Sequence, residues 1–211
     1  MILSSSKSFL FLHVYKVAGS SIRRGLLPYA NKGIVAGQAV NAVLQQLRLP
    51  ALKNPLYNYH PRLRDVRDKL GADEFEKLFK FTFVRNPWDW QVSLYHYALQ
   101  SPRHPQYDLT KSMADFDAYL DWRVNEDLKL QSDFVCDEDG KLLVDYLGHF
   151  ENLNDDFRHV CEQVGIPYDL PFINQSRRRH YAEYYSDRGR EIIEKAFAAD
   201  IERFGYRFDA T

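Results

Sequence analysis

The chain is poor in cysteine. Cys136 and Cys161 are the only two among 211 residues, too few for a disulfide framework or a thiolate metal cluster. Apolar runs of membrane-spanning length are missing as well. None approaches the ~20 residues needed to cross a bilayer. The opening stretch MILSSSKSFLFLHVYK is interrupted by Lys7, Ser8 and His13 and lacks a signal-peptide cleavage pattern. Net charge is nearly absent, with 28 basic against 29 acidic residues, so no global field argues for nucleic acid or an anionic membrane. There is no internal repeat and no low-complexity linker. These absences point to a single domain, 1–211, long enough to bury a sizeable core.

What is present is a pair of strand–turn–helix segments. In the first, Phe9 to Leu26, the apolar residues Phe9, Leu10, Phe11, Leu12 and Val14 read as a buried strand. Lys16, Val17, Ala18, Gly19, Ser20 and Ser21 form the turn that follows. Small residues let backbone N–H groups approach an anion at a helix N-terminus, where the helix dipole favours negative charge. In the second, Phe79 to Tyr97, the run Phe81, Phe83, Val84 leads to Arg85, then to Asn86 as N-cap and Pro87 at the first helical position. Ser93 lies two helical turns beyond Asn86, so Arg85 and Ser93 can serve one anion near the helix start. Two anion sites after two strands imply a ligand with phosphates at both ends.

The remaining pattern predicts an α/β fold around a largely parallel sheet flanked by helices. Helices are expected near 20–27, 39–49, 62–70, 87–99 and 115–124, and a third strand within 141–150. Asn154 is the expected cap of a helix carrying Phe157, Val160, Cys161 and Val164, ended by Gly165 and Pro167. Ser186 caps the last helix, and Gly205 ends it. Asn58 to His60 reads as extended, because Pro61 disfavours helix before it. Residues 31–55 and 100–107 are expected to shape a substrate cleft.

The segments KVAGSSI and FVRNPWDWQVSLYHY resemble the two cofactor signatures of sulfotransferases that use 3′-phosphoadenosine 5′-phosphosulfate (PAPS). Residues 145–166 and 184–208 are similar to that family's later segments, in the same order, and the nearest resemblance is to the carbohydrate, heparan sulfate-type branch. It implies a P-loop-like three-layer fold and a soluble, bacterial-type cytoplasmic enzyme without a membrane anchor. It also implies PAPS as sulfuryl donor, no metal, and a hydroxylated acceptor, a saccharide by analogy. Lys16 would meet the 5′-phosphate and the bridging oxygen, where charge builds as the bond to sulfur breaks. Val17 and Ala18 stand where relatives often carry Thr and Gly. Arg85 and Ser93 would hold the 3′-phosphate, joined by one arginine of the run Arg177, Arg178 and Arg179, with Arg178 taken as the contact. A histidine ahead of the second strand acts as base in the resembled enzymes, and His60 occupies that place.

Several alternatives stay open. His13, His96, Glu151 and Asp145 compete for the acid–base role. A P-loop kinase would use Leu142 to Asp145 as a strand ending in a magnesium-binding carboxylate. Yet here Lys16 precedes Gly19 instead of following the glycines, and Val17 replaces the expected hydroxyl. A non-catalytic nucleotide-binding module would carry the same two signatures.

Overall fold

A computed structural model describes residues 1–171 and 179–209. The chain divides into two compact units, Met1–Val84 with Gln131–Asn174, and Arg85–Leu130 with Gln175–Thr211.

The first unit is built on a four-stranded sheet in the order β1 (Ile2–Ser4), β2 (Phe9–Phe11), β3 (Phe79–Val84), β4 (Tyr146–His149). β1 and β2 form an antiparallel hairpin, whereas β2–β3 and β3–β4 are parallel. The sheet is therefore mostly parallel, flanked by helices, in a mixed α/β fold. β2 reads as a continuous apolar run because both faces are covered, and in β3 the interposed Lys80 and Thr82 are buried as well; Phe9, Leu10, Phe11, Phe81 and Phe83 are fully buried. Phe9, Phe11 and Phe79 each meet the Phe81 ring, at centroid distances of 5.9, 5.4 and 5.9 Å. Helices of this unit are α1 (Gly19–Leu26), α2 (Lys32–Gln46), α3 (Leu63–Leu70), α4 (Ala72–Glu76), α8 (Ser132–Val135) and α9 (Leu153–Val164).

The second unit is helical among its described residues: α5 (Pro87–Leu99), α6 (Tyr107–Ser112), α7 (Phe116–Glu126), α10 (Asp187–Ala196) and α11 (Ala198–Phe204). Aromatic rings hold it together. Tyr95 meets Phe116 and Tyr119 edge-on at 5.1 Å, and Trp90 stands perpendicular to Phe197. Ser186 caps α10 by accepting from the Gly189 N–H at 2.9 Å, as expected.

The sequence expectations fail where local signals are short. β1 is an unforeseen three-residue strand, formed because β2 offers it a partner. α2 begins at Lys32, seven residues before the expected Ala39. Asn154 lies inside α9, whose N-cap position is Asn152. The last helix breaks at Phe197, which closes α10 and opens α11. The third strand does fall within 141–150, as β4, but the residues before it are no strand of the sheet; Leu142 makes an isolated bridge to Cys136.

Gly148 pairs with Phe83 across β3 and β4, and a Cβ placed there would lie 2.5 Å from the Phe83 ring. That ring has no exposed surface into which to move. Gly148→Ala is expected to lower unfolding free energy by ~1–3 kcal/mol, read by chemical denaturation; an unchanged midpoint would contradict this packing.

Candidate active site

β2 continues to the site as an anchored chain. The Leu12 N–H donates to the Phe81 carbonyl at 2.9 Å, and the Thr82 hydroxyl donates back to the Leu12 carbonyl at 2.9 Å. Beyond them the turn bends sharply. Lys16 and Ala18 both take left-handed backbone angles, φ 64° and 60°, on either side of the fully buried Val17. For residues with a Cβ this conformation costs ~1–2 kcal/mol each, and such strain gathers at ligand-holding turns. Ala18 is the N-cap of α1, with no side-chain cap, and its carbonyl accepts from the Ser21 and Ile22 N–H groups at 2.9 and 3.2 Å. A first turn of helix preceded by small residues suits an anion. Lys16 is half-buried at the turn's edge, Ser20 exposed, and Gly19 and Ser21 buried.

Two histidines meet at the base of this turn. The buried His13 ring lies where a side chain on residue 19 would be: a Cβ on Gly19 would fall 1.7 Å from its Nε2. His60 packs beside His13 with ring centroids 4.4 Å apart, and Tyr15 meets His60 edge-on at 5.9 Å. His60 Nδ1 is 2.7 Å from the His13 carbonyl oxygen. A carbonyl only accepts, so Nδ1 carries the proton and the neutral ring presents Nε2 as its basic atom. His60 keeps exposed surface, yet much of its ring lies close among protein atoms, and the desolvation there lowers its pKa from the ordinary histidine value, partly offset by the His13 carbonyl, which favours the charged form. His13 is pushed down further, by burial first and by neighbouring His60 second.

In the second unit, Arg85 is buried and bound to Asp89, one helical turn on. Its Nε and Nη2 lie 2.7 and 2.6 Å from the same Asp89 oxygen. Asn86 caps α5 by accepting from the Trp88 N–H, and Ser93 is half-buried on that helix. The i,i+4 spacing of Arg85 and Asp89 is the signal that would have revealed this partner. His96 stacks edge-on against Tyr184 at 5.0 Å, a packing position. Arg179 reaches Glu183 at 3.6 Å, while Arg177 and Arg178 lie outside the described residues.

Asp145 does not end a strand. It precedes β4, where its carboxylate accepts from the Lys80 backbone N–H at 2.7 Å and pairs with the Lys80 ammonium at 3.0 Å. Because β3 and β4 run parallel, this is the amino-terminal edge of the sheet, away from the edge at which ligands of such folds sit. Glu151 follows β4 in the turn Phe150–Asn152, at the carboxyl edge. Among the described residues no group of three or more His, Cys, Asp or Glu converges as a metal site. Cys161 is buried, with its thiol pushed up to about 11 by burial, as suits inert packing.

His13 makes stability pH-dependent. Its folded pKa lies well below its unfolded value, so below about pH 6.5 the unfolded chain binds the extra proton. Stability is full above that pH and falls on acidification by about 1.4 kcal/mol per pH unit for this group. Denaturation midpoints between pH 7 and 5 should show this loss, and His13→Gln should flatten it. An unflattened slope in the variant would assign the loss to other groups.

A sequence-family model described as the sulfotransferase family matches residues 1–207, running through both units. An uncharacterized protein of Archaeoglobus fulgidus is 28% identical over 108 residues, covering 50% of this chain and 82% of the archaeal one. No solved structure matches. The chain belongs to the sulfotransferase family and is a PAPS-dependent enzyme that transfers a sulfuryl group to a hydroxyl acceptor.

Proposed function

We propose that the acceptor is a saccharide hydroxyl, that His60 is the general base and that Lys16 is the cation meeting the leaving 5′-phosphate. The observation that carries the assignment is the 2.7 Å contact from His60 Nδ1 to the His13 carbonyl. It sets the tautomer that leaves Nε2 able to take a proton. In the step we infer, Nε2 removes the acceptor hydroxyl proton as that oxygen bonds to sulfur. The sulfur–oxygen bond to the 5′-phosphate breaks, and 3′-phosphoadenosine 5′-phosphate departs with the electron pair. Lys16 sits in the strained turn where that charge grows, so its ammonium stabilises the transition state more than the ground state.

In the same reading Val17, Ala18, Gly19, Ser20 and Ser21 cradle the 5′ end through backbone N–H groups, and Arg85 with Ser93 takes the 3′-phosphate. Asp89 aims the Arg85 fork, which favours bidentate phosphate contacts. Arg178 remains the proposed third contact. Both units then form one sulfotransferase domain of P-loop-like, three-layer type, similar to the heparan sulfate-type branch. Support for the saccharide is the ordered resemblance of the four segments to the carbohydrate enzymes. The kinase alternative loses its magnesium ligand, since Asp145 is held by Lys80 at the other edge of the sheet.

His60→Ala is expected to lower turnover by ~10²–10⁴-fold while leaving affinity for 3′-phosphoadenosine 5′-phosphate unchanged. The wild-type kcat/KM should hold level at neutral pH and fall only on the acid side, with an apparent pKa below 6.5, because protonation removes the base. Near-normal turnover in the variant would move the role to Glu151.

A second measurement addresses the 3′ end. Calorimetry should give 3′-phosphoadenosine 5′-phosphate much tighter binding than AMP. Arg85→Ala should remove that preference, a loss of about ten- to hundred-fold for a charge-assisted contact of ~1.5–3 kcal/mol. Equal affinities in the wild type would refute the assignment of Arg85.

A further inference from the structure

Helix α2 buries polar residues more completely than its apolar ones. Its buried residues are amides: Gln38 donates to the Met1 and Leu56 carbonyls at 3.2 Å each, and Asn41 accepts from the Leu52 N–H at 2.7 Å. Val40 at 48% exposure and Val43 at 53% face solvent, as does Leu47 at 63% just past the helix end, while Ile34, Val35 and Leu44 are half-buried. The spacing i, i+3, i+7 puts Val40, Val43 and Leu47 on one face. Leu49 and Leu52, 50% and 43% exposed, continue the patch past the helix end. Five of the eleven large exposed hydrophobic residues among those described thus fall within 40–52. The inward amide bonds fix the rotation of the helix, so it cannot roll to bury its valines. A buried polar face with an exposed apolar one is the informative departure from ordinary burial, and an exposed cluster of this kind marks a binding surface.

Charge decides what binds. Residues 1–64 hold nine of the chain's 28 basic residues and none of its 29 acidic ones; the first carboxylate is Asp65. Arg48 and Lys53 are exposed among the patch residues in sequence, and Lys32 is exposed at the start of α2. A second copy docking here would bring these cations onto their own equivalents, with no carboxylate of the segment to pair with them. An anionic surface pairs with them and takes up the apolar side chains at once.

We propose that α2 and residues 47–53 dock peripherally on an anionic lipid bilayer, with Val40, Val43, Leu47, Leu49 and Leu52 entering the interface and Lys32, Arg48 and Lys53 meeting the headgroups. No helix among the described residues is long and apolar enough to cross a membrane, so the attachment is superficial and reversible. It does not rest on the catalytic assignments above.

The test is co-sedimentation of the whole protein with vesicles of phosphatidylglycerol and phosphatidylcholine, compared with vesicles of phosphatidylcholine alone. Binding is expected to the anionic vesicles only, and to weaken as salt rises from about 0.1 to 1 M and the screening length shrinks from ~10 to ~3 Å. Val43→Asp, at a solvent-facing position, should lower it at least ~10-fold, and Arg48→Gln with Lys53→Gln by roughly tenfold or more. Binding of 3′-phosphoadenosine 5′-phosphate should be unchanged in both variants, which shows that they are folded. No sedimentation of the wild type with anionic vesicles overturns the proposal, as does undiminished binding by Val43→Asp. Self-association that Val43→Asp abolishes, without vesicle binding, overturns it in favour of a second copy.

Discussion

The first unit's site depends on one close approach, the His13 ring against the backbone of Gly19. No side chain fits at residue 19 while that ring is in place, so the start of α1 and the end of β2 are fixed together. Placing the ring also directs the His13 carbonyl, which is the acceptor that orients His60. One missing Cβ therefore sets a helix start, a buried histidine and a tautomer. The anchoring by Thr82, one strand away, keeps the chain from relaxing this arrangement.

The same turn shows how strain and burial cooperate. Left-handed angles at Lys16 and Ala18 are unfavourable alone, but Val17 between them is buried without exposed surface. Burying a valine side chain fully stabilises by ~1.5–3 kcal/mol, enough to offset much of the pair. Sequences with glycine at the second of these positions would relieve part of the strain. Here the alanine keeps the turn stiff, which favours a preorganised anion cradle over one that orders on binding.

Much of the frame was legible in the sequence because its signals are long or redundant. Phe79–Val84 carries β-prone Phe, Thr and Val on both sides of a single lysine, and Pro87–Leu99 has both an N-cap and a proline at the first position, so their bounds came out as read. Gly165 and Gly205 ended helices in left-handed conformation, at φ 62° and 68°. β1 was illegible because three residues followed by serines carry no period of their own; pairing with β2 makes the strand. The kinase alternative makes Asp145 a strand end because Leu142 to Val144 is apolar, but Lys80 draws the carboxylate to the start of β4. His60 was placed by resemblance, whereas its orientation by His13 depends on residues 47 positions apart and leaves no local pattern.

Helix α2 was misread for a related reason. The sequence pattern places a helix at 39–49 without saying which of its faces is buried, since periodicity alone says which residues share a face but not which way the face points. Hydrogen bonds decide that here. The buried Gln38 and Asn41 amides find partners in backbone groups of residues 52–57, and leaving a buried polar group unsatisfied costs ~1–3 kcal/mol. Exposing three partly exposed aliphatic side chains forfeits only part of ~1.5–3 kcal/mol each. The two costs are of similar size, so the helix is stable in water yet retains apolar surface. That residual surface lies in a stretch of chain, residues 1–64, that holds nine basic residues and no acidic one, which is the basis on which an anionic surface is its fitting partner.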